Sequence, residues 1–188
     1  MDKKNELLAA AREVFAEKGY KAAGISDIAK RSQMAVGSFY KYYESKEAIF
    51  LEVYVAENSR VREEIMQRVD WQGKPEAIIE QLFAVTFELI SPNKILAEWN
   101  KPGISQILHD YYNQDSGRAS NAFHQFLIQT FSQRLQEEGF SKEKIAEIMK
   151  VYDLIYYIDM HVTEQEFSGY FDSLETLVKY FVKGIFSK

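Results

Sequence analysis

The chain has 188 residues, 46% hydrophobic and 27% charged, with a formal net charge of −5; this suits a globular chain with a sizeable core, built as one medium domain or as a small domain fused to a larger one. The absence of cysteine excludes disulfides and thiolate metal sites and agrees with a reducing compartment. No apolar run reaches the roughly 18 residues of a membrane span, and Met1-Asp2-Lys3-Lys4 leads straight into an amphipathic pattern without a signal-peptide apolar region, so the expectation is a cytoplasmic protein with no membrane role.

Lys3–Lys18 predicts a first helix, with Leu7, Leu8, Ala11, Val14 and Phe15 at helical spacing. Gly19 stands where a left-handed C-terminal cap belongs. After the connection Tyr20–Gly24, Ser26–Ser32 predicts a second helix with Ile28 and Ala29 turned inward. Gln33-Met34-Ala35 breaks it, and Val36–Tyr43 predicts a third. Ile25, Ile28, Met34 and Phe39 share a small core with Val14 and Phe15. In the third helix Phe39 and Tyr43, four residues apart, share a face. Gly37, Ser38 and Lys41 fall opposite, flanked by Tyr40 and Tyr42. One face can dock on a core; the other offers close backbone approach, a hydroxyl, an ammonium and phenols, which is the equipment of a recognition helix in a helix-turn-helix.

Ser45 caps a long fourth helix that reaches about Val69, before Trp71-Gln72-Gly73-Lys74-Pro75 breaks the pattern. Pro75 suits the first turn of the next helix, which ends at Ser91-Pro92-Asn93. A short segment, Lys94–Asn100, carries Trp99. After Lys101-Pro102-Gly103 come Ile104–Asn113, then a long pattern Ser116–Glu138 closed by Gly139. Ser141 opens a helix through Val162, and a last one spans about Phe167–Phe186. No stretch reads as a strand, and there is no internal repeat. The fold class expected is all-α: an N-terminal three-helix DNA-binding domain (1–47) with a helix-turn-helix, and a C-terminal helical domain (48–188). Charge follows the same division. Residues 1–47 hold 9 Lys/Arg against 7 Asp/Glu, a net of +2, and residues 48–188 hold 14 against 21, a net of −7. Phosphate binding needs local cations, not a basic whole.

The segments Val14-Phe15-Ala16-Glu17-Lys18-Gly19-Tyr20, Asp27-Ile28-Ala29-Lys30-Arg31, Gly37-Ser38-Phe39-Tyr40-Lys41-Tyr42-Tyr43 and Ser45-Lys46-Glu47-Ala48 resemble, in order and spacing, the TetR (tetracycline-repressor-like) transcriptional regulators. The resemblance covers the first quarter of the chain; the remainder matches only in its all-helical layout. Four positions depart from the family pattern. Gly24 stands where Thr or Ser caps the second helix, Gln33 replaces the turn glycine and invites a positive φ, Ala35 replaces a Ser cap, and Tyr43 replaces Phe, so its hydroxyl needs a partner. The resemblance implies a homodimeric repressor that binds double-stranded DNA at a near-palindromic operator, with half-sites about 34–36 Å apart. Val36, Gly37, Ser38 and Lys41 would lie nearest base edges, Lys41 toward guanine acceptors and Val36 toward a thymine methyl. Tyr40, Tyr42 and Lys46 would touch phosphate or sugar, with Ser26 and Gln33 as further contacts.

The resemblance also implies that the body, 48–188, is a ligand-binding and dimerisation domain with a hydrophobic ligand pocket. Phe83, Phe87, Trp99, Tyr112, Phe123, Tyr156 and Asp159 are its candidate residues, Trp99 because it precedes a Pro-Gly break. Asp159 shares a face with Tyr152, Ile155 and Tyr156, where burial of an unpaired carboxylate would be costly. A cationic ligand, Arg118, Arg134 or a tyrosine hydroxyl could satisfy it. Aromatics with carboxylates favour a lipophilic cation over a lipophilic anion. In the last helix Phe167, Phe171, Leu174, Val178, Phe181 and Ile185 alternate four and three, the spacing of a packing seam, and are the candidate dimer interface. The reading expected is a repressor released when its small hydrophobic ligand tilts the helix after Ser45. His109, His124 and His161 have no metal-ligand spacing, and no phosphate-cradling glycine loop is present, so neither a cofactor, a metal nor an enzyme activity is expected. The competing readings are a DNA-binding dimer controlled by a protein partner and, out of class, an all-helical small-molecule enzyme.

Overall fold

The computed structural model describes residues 2–101, 103–114, 121–164 and 166–187. Among these there is no strand, and no helix is long and apolar enough to cross a membrane. The helices are α1 (Lys3–Ala22), α2 (Ile25–Arg31), α3 (Val36–Phe39), α4 (Lys46–Arg68), α5 (Pro75–Ile90), a 3-10 turn (Leu96–Asn100), α6 (Ser105–Asn113), α7 (Ala122–Glu137), α8 (Lys142–His161) and α9 (Tyr170–Phe186). Two compact units divide the chain: Met1–Glu64 with Phe87–Tyr111, and Ile65–Thr86 with Tyr112–Lys188. The first therefore reaches well past residue 47. Pro102, Ser116 and Arg118 lie outside the described residues.

The first unit has a solid core. Leu7, Val14, Phe15, Ile28, Phe39, Ile49, Phe50, Ile104 and Leu108 are buried, each contributing about 1.5–3 kcal/mol by leaving water. Phe15 and Phe50 meet edge to face, with ring centroids 4.9 Å apart. Gly19 interrupts α1 at φ 73°, a conformation glycine adopts without penalty. The chain then restarts for one turn, where the buried Glu98 carboxylate accepts the Tyr20 amide (3.2 Å) and the Lys101 ammonium (3.0 Å).

A second acid organises the join between α1 and α4. Glu57 is 3% exposed and accepts from Arg12 Nε (2.8 Å), Arg60 Nη2 (2.8 Å) and Asn93 Nδ2 (2.9 Å). Burial pushes its carboxyl up, but the bonds from Arg60, Arg12 and Asn93 outweigh that and bring its pKa down to about 2. A carboxyl held below its unfolded value, about 4.3, stabilises the fold above that value. The stabilisation is lost as pH falls from there toward about 2. Chemical denaturation at pH 5 and pH 3 should show roughly 1.5 kcal/mol of acid-labile stability in the native chain that is missing in Glu57→Gln.

The second unit is hollow by comparison. No residue of α5 is fully buried, although its apolar face carries Ile78, Ile79, Leu82 and Phe83. Leu135, Ile148, Tyr170, Leu174 and Val182 are buried, and the other apolar faces of α5, α7, α8 and α9 surround an open space. Ser141 caps α8 by accepting the Lys144 amide, and Gly139 takes φ 83° between α7 and α8.

Candidate nucleic-acid interface and ligand cavity

The helix-turn-helix is built by α2 and α3. Gly24 has no side chain to cap α2, and Asp27 reaches back instead, its carboxylate accepting the Gly24 amide at 3.0 Å. Gln33 takes φ 57° in the turn, the only non-glycine residue described with positive φ. The α-helix of α3 ends at Phe39, not Tyr43. Ala35 provides no side-chain cap, and the chain continues in tight turns, with the Tyr42 and Tyr43 amides both donating to the Phe39 carbonyl (2.9 and 3.1 Å). Phe39 and Tyr43 are buried as the spacing predicts. The Tyr43 hydroxyl finds Glu52 at 2.9 Å, and Lys4 pairs with that same carboxylate (3.0 Å).

Facing solvent are Ser26, Gln33, Val36, Gly37, Tyr40, Lys41 and Tyr42, with Ser38 half-buried among them. The Lys41 ammonium pairs with no described residue. A Cβ built on Gly37 would meet nothing within 4 Å, so no intramolecular contact requires glycine there, whereas close approach by an outside surface would. Lys46 differs from the rest. Its ammonium donates to the Tyr20 and Ala23 carbonyls, both at 3.0 Å, and lies 4.2 Å from the Tyr20 ring centroid. It closes the end of α1, which leaves one N–H for any phosphate.

In the second unit α5, α7, α8 and α9 enclose a cavity of about 600 Å³, within the range of roughly 300–1,000 Å³ that holds small organic ligands. Its wall is mainly apolar and aromatic. Phe83, Phe123, Tyr156 and Asp159 line it, as do Trp71, Phe126, Phe131 and Arg134. Phe87, Trp99 and Tyr112 do not. Phe87 is exposed and Tyr112 buried elsewhere. Trp99 belongs to the first unit, its ring stacked on Tyr54 (6.2 Å) and beside His109 (4.3 Å). Asp159 is exposed, not buried, and accepts from the Tyr170 hydroxyl at 3.3 Å. His124 stacks on Tyr156 with centroids 3.8 Å apart and meets the Tyr152 hydroxyl through Nδ1 (3.2 Å).

Residues 7–53 match the family model described as bacterial regulatory proteins, tetR family. The HTH-type transcriptional regulator QacR of Staphylococcus aureus is 29% identical over 119 residues, 62% of this chain and 59% of that protein. The uncharacterized HTH-type transcriptional regulator YdgC of Bacillus subtilis is 40% identical over 62 residues, 33% of this chain and 32% of YdgC. The first quarter of the chain thus matches the TetR family, and the curated relatives it resembles are HTH-type transcriptional regulators. The matched segments span about three fifths of QacR and a third of YdgC. A crystal structure of a TetR-like transcriptional regulator from Rhodococcus sp. RHA1 superposes with a TM-score of 0.51 at 19% identity, covering 99% of this chain and 97% of that one; it extends the TetR-like fold over the body.

In the body the last helix turns part of the stripe that its spacing picks out toward the cavity. Leu174, Val178 and Phe181 line the cavity, and Ile185 is half-buried. Phe167 and Phe171 are exposed. The helix has a polar side, Asp172, Ser173, Glu175, Thr176, Lys179 and Lys183, so a four-three alternation marks its apolar stripe but cannot tell whether that stripe walls a cavity or meets a second copy. Besides Phe171, the outward apolar residues are Leu177 and Tyr180 of α9, and Val151, Leu154 and Tyr157 of α8. The signal that could have separated them is the pair of polar residues, Ser173 and Thr176, on the outward side of α9.

Proposed function

We propose that the chain is a DNA-binding transcriptional regulator, a repressor that holds a near-palindromic operator as a homodimer and releases it when a small hydrophobic molecule fills the cavity. The observation that carries this reading is the solvent-facing set from Gln33 to Tyr42, in which an ammonium, two phenols and an open glycine stand on α3 and the turns that follow it, seated by Phe39. Such groups serve a duplex: Lys41 and Val36 at base edges, Tyr40 and Tyr42 at the backbone. The cavity supports the ligand, and the outward apolar residues of α8 and α9 support the second copy.

Coupling runs through α4, which begins at Lys46 in the first unit and whose last residues, from Ile65, belong to the second. A ligand that favours the arrangement unable to hold DNA shifts the equilibrium by its differential affinity, and about 1.4 kcal/mol gives a tenfold change in operator binding. Selection of bound sequences from a random DNA pool tests the reading. A two-fold symmetric motif with half-centres one helical turn apart, about 34–36 Å, is expected; an unsymmetric motif, or none, overturns it.

A further inference from the structure

We infer that the ligand is an amphiphilic carboxylate, with its apolar chain among the aromatic rings of the cavity and its head group on the Arg134 guanidinium. The inference rests on the proposed sensing role. Arg134 stands on α7 in the cavity wall. One of its N–H groups donates to the Gly73 carbonyl at 3.3 Å, while Nε is buried without an acceptor. Among the described residues no carboxylate forms an ion pair with it. A buried charged donor left unmet is unfavourable, and a charge-assisted bond to it is correspondingly strong.

The acids of the wall are in a different condition. Asp159 is exposed and takes the Tyr170 hydroxyl. Glu137 is exposed and takes the Gln133 amide at 2.9 Å. A cationic ligand would therefore meet acids that water or a neighbour already satisfies, together with repulsion from Arg134. A neutral one would leave the guanidinium as it is. A carboxylate offers two acceptor oxygens to its planar fork, while Leu82, Phe83, Phe123, Phe131 and Val178 supply an apolar enclosure for a chain. The preference for a lipophilic cation that composition suggests is reversed by where Arg134 sits.

The test is calorimetry on the full chain with dodecanoate, dodecanol and dodecyltrimethylammonium, each below its aggregation threshold, with binding to the selected operator measured alongside. Dodecanoate should bind at least about tenfold more tightly than either of the others. Arg134→Gln should abolish that preference, and Arg134→Lys, which keeps the charge but not the fork, should retain part of it. Thermal melts verify that each variant is folded, and the selectivity of the native chain decides the matter even if Arg134→Gln is not. Equal or tighter binding of the alcohol or the ammonium overturns the inference and leaves ligand sensing intact. If no probe binds while the operator is still held, the inference and the sensing role fall together and DNA binding stands.

Discussion

Replacing Lys41 with alanine is expected to weaken operator binding about a hundredfold at moderate salt and to leave thermal stability unchanged. The two halves of that expectation have separate origins. Stability is untouched because the Lys41 ammonium is exposed and pairs with no described residue, so its removal breaks nothing within the chain. The loss of affinity is large because the proposed two-fold assembly would present the residue twice: about 1.4 kcal/mol per copy, a modest value for a base or phosphate contact, squares a tenfold effect. Fluorescence anisotropy at two salt concentrations tells the contacts apart. A phosphate contact lowers the salt dependence by about one counterion per copy, whereas a base contact relaxes sequence preference at one position of each half-site. Gly37→Ala provides the complementary case. A methyl there has open space and should stabilise the helix by up to about 1 kcal/mol, yet operator affinity should fall because the added carbon stands between the backbone and the groove. If both variants bind as the native chain does, the reading face lies elsewhere.

Much of the fold was legible because its signals are local. Periodic apolar residues, the Ser141 cap, Pro75 at the start of α5 and Gly139 at the end of α7 each act within a turn or two of their own position. Which side chains face solvent around α3 was legible for the same reason: α3 is short, and Phe39 and Tyr43 can be buried together in only one way. Where the sequence misled, the cause was tertiary. Nothing near Glu57 or Glu98 marks them as buried, since their partners Asn93 and Tyr20 are 36 and 78 residues away in the chain. Trp99 precedes a break, as a pocket residue might, but Tyr54 and His109 claim its ring. At Lys46, which matches a phosphate-binding position, the sequence did not show that two carbonyls of the α1 terminus accept from the ammonium and leave one N–H free for a phosphate. In the last helix the spacing marks an apolar stripe but not what covers it, which is a tertiary or quaternary matter.

Leu154→Glu combined with Tyr180→Glu is expected to convert the protein to a monomer in sedimentation and to abolish specific operator binding, while Phe181→Ala leaves both intact and alters only ligand binding. Leu154 is 57% and Tyr180 70% exposed, so within one chain neither glutamate displaces a packed side chain and the monomer fold should survive. In a two-fold interface each substitution occurs twice. Each forfeits the roughly 1.5–3 kcal/mol that burial of a large apolar side chain contributes, and each sets a carboxylate where water is excluded, costing several kcal/mol more unless a cation meets it. Four such changes exceed what a standard interface can absorb. Operator binding follows because a single half-site retains only half the contacts, so affinity falls toward the nonspecific level. Phe181 lies on the cavity side of the same helix, and its truncation enlarges the cavity without touching the outward face. Had the alternating seam been the interface, the outcomes would be exchanged: Phe181→Ala would loosen the dimer, and the two glutamates would pass unnoticed.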